Sequence, residues 1–300
     1  MDLDRETIKE QLQEYAEMTE RALQKYIPEV ECLQKNVILA ARHSLFAGGK
    51  RLRPALVMEF CRVCGGESVS ALPAACAIEM MHTFSLIHDD LPCMDNDDMR
   101  RGRPSCHKAY GEGNALLAGD ALAILPFQVI AQAGLKGTIP AEEALKVSAL
   151  LGEMAGVFGM IGGQVIDTEN ERVQLPENVI LEMYRMKTGA LLEFCCRAGV
   201  IIAGGGAELQ LAAGTYAQKL GLAFQIIDDI LDVTADEKAL GKPVGSDSES
   251  GKYTYAAQVG LDKAKEQASR LTDEAIQALS AFEDRDFLVG LTKYLLERDH

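Results

Sequence analysis

Residues 220–232 read Leu-Gly-Leu-Ala-Phe-Gln-Ile-Ile-Asp-Asp-Ile-Leu-Asp, an apolar run that ends in three aspartates. Apolar residues with helical spacing dominate the whole chain, and no convincing alternating strand pattern accompanies them. Pro28, Gly48-Gly49 and Gly204–Gly206 interrupt the pattern. The sequence therefore predicts an all-α protein, with helices at about 4–26, 30–47, 54–65, 68–90, 112–133, 141–160, 177–203, 207–232, 253–281 and 284–298.

A second apolar run meets aspartates in the same way at residues 86–95, Leu-Ile-His-Asp-Asp-Leu-Pro-Cys-Met-Asp. Pro92 disturbs the helix before it, so Asp95 is expected to turn back toward Asp89. In the later run, two aspartates four residues apart share one helix face. The two clusters consist of Asp89, Asp90 and Asp95, and of Asp228, Asp229 and Asp232.

Both clusters place carboxylates at helix carboxyl ends, where the helix dipole is already negative, and each brings like charges together. A bound cation would relieve both penalties, and hard oxygen ligands favour magnesium or calcium. The spacing of a calcium-binding loop is absent, and magnesium typically adds phosphate oxygens to its protein ligands. The alternative is two solvated acidic helix ends, which is weaker for the pair because each cluster follows a strongly apolar helix.

Two basic motifs stand out in this acidic chain. The stretch Gly48–Pro54, which holds Lys50 and Arg53, precedes a helix whose N-terminus favours anions. Arg100 and Arg101 follow the aspartates directly, and arginine binds phosphate through a planar fork. A plain helix start, or neutralisation of neighbouring acids, would also explain these charges. Further polar candidates, each with an ordinary structural reading, are His82, Lys187 and Thr188 at a suspected kink, Gln225 and Lys242.

The composition excludes several classes of function. The 300 residues include 45 acidic and 30 basic ones, a net charge of −15, so nucleic acid and anionic membranes are poor partners. The eight cysteines lie mostly in apolar helical stretches, which is typical of a reduced, cytoplasmic chain. Because no run of about eighteen apolar residues occurs, no membrane span is expected. No linker or repeat divides the chain, which predicts a single domain over residues 1–300.

These motifs together resemble the trans-isoprenyl diphosphate synthases, most closely the bacterial farnesyl diphosphate synthases. The resemblance covers nearly the whole chain and rests on Gly48–Pro54, His82, Asp89–Asp95 with Arg100-Arg101, Lys187-Thr188, Gln225–Asp232 and Lys242. It implies an isoprenoid-synthase-type helical bundle around a deep central cavity, usually as a homodimer. It also implies a head-to-tail condensation of isopentenyl diphosphate with dimethylallyl and then geranyl diphosphate.

The resemblance assigns roles to individual residues. Several Mg²⁺ ions would bridge the allylic diphosphate to Asp89, Asp95 and Asp228. Isopentenyl diphosphate would be bound by Lys50, Arg53, His82 and Arg101. The residues that would bind the allylic diphosphate are Arg100, Lys187, Thr188, Gln225 and Lys242. The catalytic residues would be Lys187, Thr188 and Gln225, of which Thr188 and Gln225 would face the developing carbocation. The expected base is the departed diphosphate itself.

Product length follows from the residues before Asp89. Ser85 is one turn below Asp89 and Phe84 is beside Ser85, so an aromatic ring there would form a floor beneath the growing chain. In the resembling family, an aromatic residue at this position together with Leu91-Pro92 accompanies a fifteen-carbon product. The alternative is that Phe84 is plain core packing.

Four other functions compete with a farnesyl diphosphate synthase. A geranylgeranyl diphosphate synthase belongs to the same family. A terpene cyclase shares the chemistry but needs no isopentenyl site. A non-catalytic partner subunit of a longer-chain synthase would usually have lost aspartates. A calcium-binding helical scaffold would bind metal without any dependence on diphosphate.

Overall fold

The computed structural model describes residues 3–170, 173–234 and 253–296. Almost all of its regular structure is helical, which confirms the all-α prediction. The helices are α1 (Arg5–Tyr26), α2 (Lys35–Leu45), α3 (Leu52–Val63), α4 (Leu72–Asp89), α5 (Cys106–Tyr110), α6 (Glu112–Leu135), α7 (Ala141–Ala155), α8 (Met160–Glu169), α9 (Glu177–Tyr184), α10 (Ala190–Ile202), α11 (Ala207–Thr234), α12 (Tyr255–Val259), α13 (Leu261–Ala278) and α14 (Asp286–Leu296). Short 3₁₀ turns cover Ser68–Ala71 and Leu279–Ala281.

Four features differ from the expectation. The helix expected over about 253–281 is two helices, α12 and α13, separated at Gly260, and the short helix α5 was not predicted. The helix expected over about 141–160 ends at Ala155, and a separate helix, α8, begins at Met160. Glycines at 156 and 159 provide the break between them. A small antiparallel hairpin, β1 (Met99–Arg100) and β2 (Arg103–Pro104), was also not predicted. Its strands are too short and too charged to produce an alternating pattern.

The N-terminal unit comprises residues 9–150 and 198–205. Its core includes Leu23, Leu45, Met80, Ile87 and Leu122, all buried. Helix α4 packs along α6 and also contacts α3. The helix that ends in the first aspartate cluster is therefore held by apolar contacts on more than one side.

The C-terminal unit comprises residues 3–8, 151–197 and 206–296 of the described chain. Helix α11, which carries the second aspartate cluster, packs along α13 and also contacts α14. A buried hydrogen bond of 2.9 Å between the hydroxyls of Tyr216 and Thr292 joins α11 to α14. The expectation of a single domain over residues 1–300 stays a prediction.

The suspected kink at Lys187-Thr188-Gly189 coincides with one turn of π-helix, Arg185–Gly189, between α9 and α10. Such turns widen a helix locally and are frequent at functional sites. Helix α8 approaches this turn so closely that a Cβ on Gly163 would lie 2.2 Å from the backbone nitrogen of Lys187. Only glycine permits this approach, so Gly163 fixes the π-turn against α8.

Three stretches are long and apolar enough, by length and composition alone, to cross a membrane: Ser68–Asp89, Glu112–Leu135 and Ala141–Glu169. The first is 67% buried inside the chain, so packing accounts for its apolar character. The expectation of no membrane span stays a prediction. All eight cysteines are free.

Candidate active site

The first aspartate cluster lies where α4 ends and the chain turns back on itself. The backbone nitrogen of Asp95 donates to the carbonyl of Asp89 over 2.8 Å, and that of Asn96 donates to Leu91 over 3.1 Å. Asp89 is partly buried and Asp95 is exposed. The predicted return of Asp95 toward Asp89 is therefore confirmed, and Pro92 lies at the exposed tip of the turn.

Asp90 differs from its two companions because it is buried and bound by the protein. The Nε of Arg100 donates to its Oδ1 over 2.9 Å, and an Nη of Arg100 contacts both Asp90 and Asp97. Arg100 thus neutralises two acids of its own chain, the alternative left open by the sequence. Its predicted contact with an allylic diphosphate stays a prediction.

The hairpin places Arg101 against the glycine-rich stretch before α3. Arg101 and Gly102 form its turn with φ values of 52° and 73°. The Arg101 guanidinium donates to the carbonyl of Gly48. A Cβ on Gly49 would lie 3.0 Å from that guanidinium, so glycine leaves room for it. The structure therefore brings together two basic motifs that are about fifty residues apart in sequence.

Arg51 anchors this stretch from inside, a role that the sequence did not separate from those of Lys50 and Arg53. It adopts a left-handed conformation with φ of 47°. Its guanidinium donates to Glu79 Oε1 and to the carbonyl of Leu45, both over 2.6 Å. With Arg51 directed inward, Lys50 is exposed and Arg53 is partly buried.

His82 lies within this group of positive charges. Burial, followed by the positive charges of Arg53, Arg101, Arg51 and Arg100, holds the pKa of His82 well below its usual range. The ring is therefore neutral near pH 7 and can donate or accept one hydrogen bond at each nitrogen according to its tautomer. The structure brings together His82, Arg53 and Arg101 in a region suited to an anion.

The second aspartate cluster occupies the last turns of α11. Asp228 is partly buried, whereas Asp229 and Asp232 are buried. The Tyr184 hydroxyl donates to Asp229 Oδ2 over 2.8 Å, and the backbone nitrogen of Ala256 donates to the same oxygen over 3.4 Å. Asp229 therefore ties α9 and the start of α12 to α11, a role the motif alone did not indicate.

Thr188 and Gln225, which were both predicted to face the carbocation, contact each other. The Thr188 hydroxyl donates to Gln225 Oε1 over 2.9 Å. Both line a cleft of about 240 Å³ in the C-terminal unit, together with Tyr184, Lys187 and Asp229. The Thr188 oxygen and the Gln225 amide can therefore act on one bound molecule.

Asp167 also lines this cleft and was missed by the sequence reasoning. Its Oδ2 accepts a hydrogen bond from Lys187 Nζ over 2.6 Å, and both side chains are partly buried. Gly163 and Asp167 are one turn apart on α8, so the glycine that admits the Lys187 backbone also brings Asp167 to its side chain. The adjacent pair Gly162-Gly163 was the available signal.

The donor chemistry fits magnesium. Asp89, Asp95 and Asp228 each present carboxylate oxygens from a partly buried or exposed position. Magnesium is usually held by one or two carboxylates and completes its shell with water and phosphate. The described residues contain no group of three or more His, Cys, Asp or Glu side chains placed for a metal ion. Lys242, which was predicted to bind the allylic diphosphate, lies outside the described residues.

Comparisons with known proteins agree with this geometry. The sequence profile described as polyprenyl synthetase matches residues 34–288. The chain is 42% identical over 295 residues to the farnesyl diphosphate synthase of Geobacillus stearothermophilus, covering 98% of this chain and 99% of that protein. It is 44% identical over 286 residues to geranylgeranyl pyrophosphate synthase 3, chloroplastic, of Arabidopsis thaliana, with coverage of 93% and 78%.

Among solved structures, the geranylgeranyl pyrophosphate synthetase of Pyrococcus horikoshii superposes with a TM-score of 0.90 at 32% identity, covering 98% of this chain and 99% of that one. Similarity over the full length confirms the predicted isoprenoid-synthase-type helical fold.

The lowered pKa of His82 predicts an acid-sensitive stability. Below an unfolded-state pKa of about 6.5, the unfolded chain binds a proton that the folded chain excludes. Stability should therefore fall as the pH drops through that value, by at most about 1.4 kcal/mol per pH unit from this group. We expect His82→Gln to lose less stability than the wild type between pH 7 and pH 5.5, measured by urea unfolding. Parallel losses in the two proteins would contradict the neutral assignment.

Proposed function

The chain belongs to the polyprenyl synthetase family, and from this premise we propose that it condenses isopentenyl diphosphate with dimethylallyl and then geranyl diphosphate to give (2E,6E)-farnesyl diphosphate. Prenyl chain elongation is the activity that the family establishes. The fifteen-carbon product rests above all on Phe84, an aromatic side chain one turn and one residue before Asp89. The end-to-end similarity to a farnesyl diphosphate synthase supports it.

Isopentenyl diphosphate would bind in the N-terminal unit. Lys50, Arg53 and Arg101 supply positive charge to its diphosphate, and neutral His82 supplies a hydrogen-bond donor. The ion pair of Arg51 with Glu79 keeps the Gly48–Pro54 stretch in place. Isopentenyl diphosphate keeps its diphosphate and needs only a fixed alkene, which suits a site built from cations.

The allylic diphosphate would be ionised with help from both aspartate clusters. Asp89, Asp95 and Asp228 would hold magnesium, which when bound neutralises the charge that develops on the departing diphosphate. Lys187, Arg100 and Lys242 would add positive charge to the same group. Asp167 keeps the Lys187 ammonium in the cleft, so its charge is positioned before the substrate arrives.

The carbocation that follows ionisation would be steadied by oxygen atoms. Thr188 and Gln225 form one hydrogen-bonded pair and can present their oxygen dipoles to a positive centre without becoming nucleophiles. The alkene of isopentenyl diphosphate attacks this centre, and a proton is then lost. We assign the base to the departed diphosphate, because it is the strongest acceptor produced next to that proton.

Chain growth would stop at Phe84. Its ring is partly buried and packs against the core of the N-terminal unit. Ser85 is the residue one turn before Asp89, and its hydroxyl donates back to the His82 carbonyl over 2.9 Å. The small Ser85 leaves space directly below the aspartate, whereas the ring of Phe84 limits that space.

A geranylgeranyl diphosphate synthase is the second candidate. It is favoured by the 44% identity to the Arabidopsis enzyme with a twenty-carbon product in its name. Other relatives are named as large subunits of a heterodimeric geranylgeranyl pyrophosphate synthase. A non-catalytic partner subunit is disfavoured because both aspartate clusters are complete.

We further propose a homodimer in the cytoplasm. Helix α6 exposes Leu117, Ile124 and Phe127, which recur along one side of the helix. Apolar side chains aligned in this way are typical of an interface. A two-fold pairing of α6 with its copy would cover them.

The product assay tests the function. Purified protein is incubated with isopentenyl and dimethylallyl diphosphates, with Mg²⁺ or with a chelator, and the dephosphorylated products are sized by chromatography. We expect a fifteen-carbon product that requires the metal, and longer products from Phe84→Ala because the floor is removed. No condensation would refute the activity. A twenty-carbon product from the wild type, or an unchanged profile from Phe84→Ala, would refute only the length argument.

The homodimer is tested by sedimentation equilibrium. Ile124 is 68% exposed on α6, and Leu211 is 73% exposed on α11, so the two provide a matched pair of substitutions. We expect Ile124→Glu to weaken association by roughly tenfold or more, since a charge would be buried at the interface. Leu211→Glu should leave association unchanged. Equal behaviour of the two variants would contradict the assignment of α6 to the interface.

A further inference from the structure

Gly119 on α6 faces the ring of His88 on α4 at a distance that no other residue permits. A Cβ at position 119 would lie 2.1 Å from His88 Nε2 and 2.3 Å from its Cδ2. Real Cβ atoms do not approach other atoms this closely, so a side chain at 119 would displace the imidazole. Gly119 is buried, which leaves the helix backbone little freedom to retreat.

His88 is held on two further sides. Its Nε2 donates to the carbonyl of Leu116 over 3.1 Å. Its ring meets the ring of Phe84 edge to face, with centroids 4.8 Å apart and planes at 72°. Phe84 and His88 are one turn apart on α4, so they share a helix face. The imidazole is thus fixed between α6 and the ring proposed to limit the product.

We propose that Gly119 and His88 are positioning residues for product length. Because Gly119 has no side chain, the His88 ring packs against α6 at this position, and the His88 ring in turn holds Phe84 in place. The inference rests on the proposed role of Phe84 and extends it to a second helix. Product length would then depend on the α4–α6 contact as well as on the residue at position 84.

The partial burial of these rings is what allows them to act on length. Phe84 and His88 are both partly buried, so either ring can move without opening the fully packed core. Without its edge-to-face partner, Phe84 can swing into the space that His88 occupied. The floor would then recede and admit a longer chain.

The test measures the ratio of twenty-carbon to fifteen-carbon product for His88→Ala, Gly119→Ala and the double variant. We expect each single variant to raise this ratio by about fivefold, the scale of one lost aromatic edge contact. The double variant should match His88→Ala alone, since a methyl at 119 meets no ring once His88 is gone. If Gly119 were merely structural, Gly119→Ala would have the same effect with or without His88. We expect instead that Gly119→Ala changes the product ratio only when His88 is present.

Gly113→Ala is the matched control, because it lies on the same helix and a Cβ there meets nothing within 4 Å. Its product ratio should equal that of the wild type. If Phe84→Ala lengthens the product while His88→Ala and Gly119→Ala do not, this inference is overturned and the proposed function stands. If Phe84→Ala has no effect, the floor and this inference both fail. If Gly119→Ala does not fold, the His88→Ala ratio decides alone.

Discussion

Carboxylates at the carboxyl ends of helices α4 and α11 are the constraint on which the remaining arrangement depends. The helix dipole and the neighbouring acids both oppose the negative charges of Asp89 and Asp228 there. The protein compensates for part of this charge itself, through Arg100 on Asp90 and through the Tyr184 hydroxyl on Asp229. We propose that Asp89, Asp95 and Asp228 hold a magnesium ion, which has few protein ligands and completes its shell with water and phosphate oxygens.

The basic residues show a similar division: some support the structure, and others are proposed to bind a diphosphate. Arg51 donates hydrogen bonds to Glu79 and to a backbone carbonyl, and these bonds fix the stretch that carries Lys50 and Arg53. Lys187 is held by Asp167 but remains in the cleft with Thr188 and Gln225. Neighbouring residues of one motif thus have different roles, and burial distinguishes them. The buried residue, such as Arg51, fixes the backbone that positions the more exposed one, such as Lys50.

Sequence alone predicted most helices and both aspartate clusters, because helical period and clustered charge are local properties. It extended the helix before Gly156 too far and missed α8, since a glycine-rich run still has apolar spacing. It also missed Asp167, whose partner is twenty residues away. The sequence also could not show that Asp90 and Asp89 have different roles. That difference depends on a hairpin that returns Arg100 to α4. Such pairings depend on how helices pack, and local patterns do not contain that information.

Magnesium titration by calorimetry tests this account most directly. It is done with and without a thiolo analogue of dimethylallyl diphosphate, whose carbon–sulfur bond does not break to give the carbocation. Carboxylates that bind magnesium together with a diphosphate should bind Mg²⁺ only weakly when no diphosphate is present. The analogue should therefore tighten Mg²⁺ binding by at least about tenfold. The metal should tighten binding of the analogue by the same factor, because the coupling is reciprocal. Mg²⁺ affinity that is unchanged by the analogue would contradict the account and indicate a metal site unrelated to diphosphate.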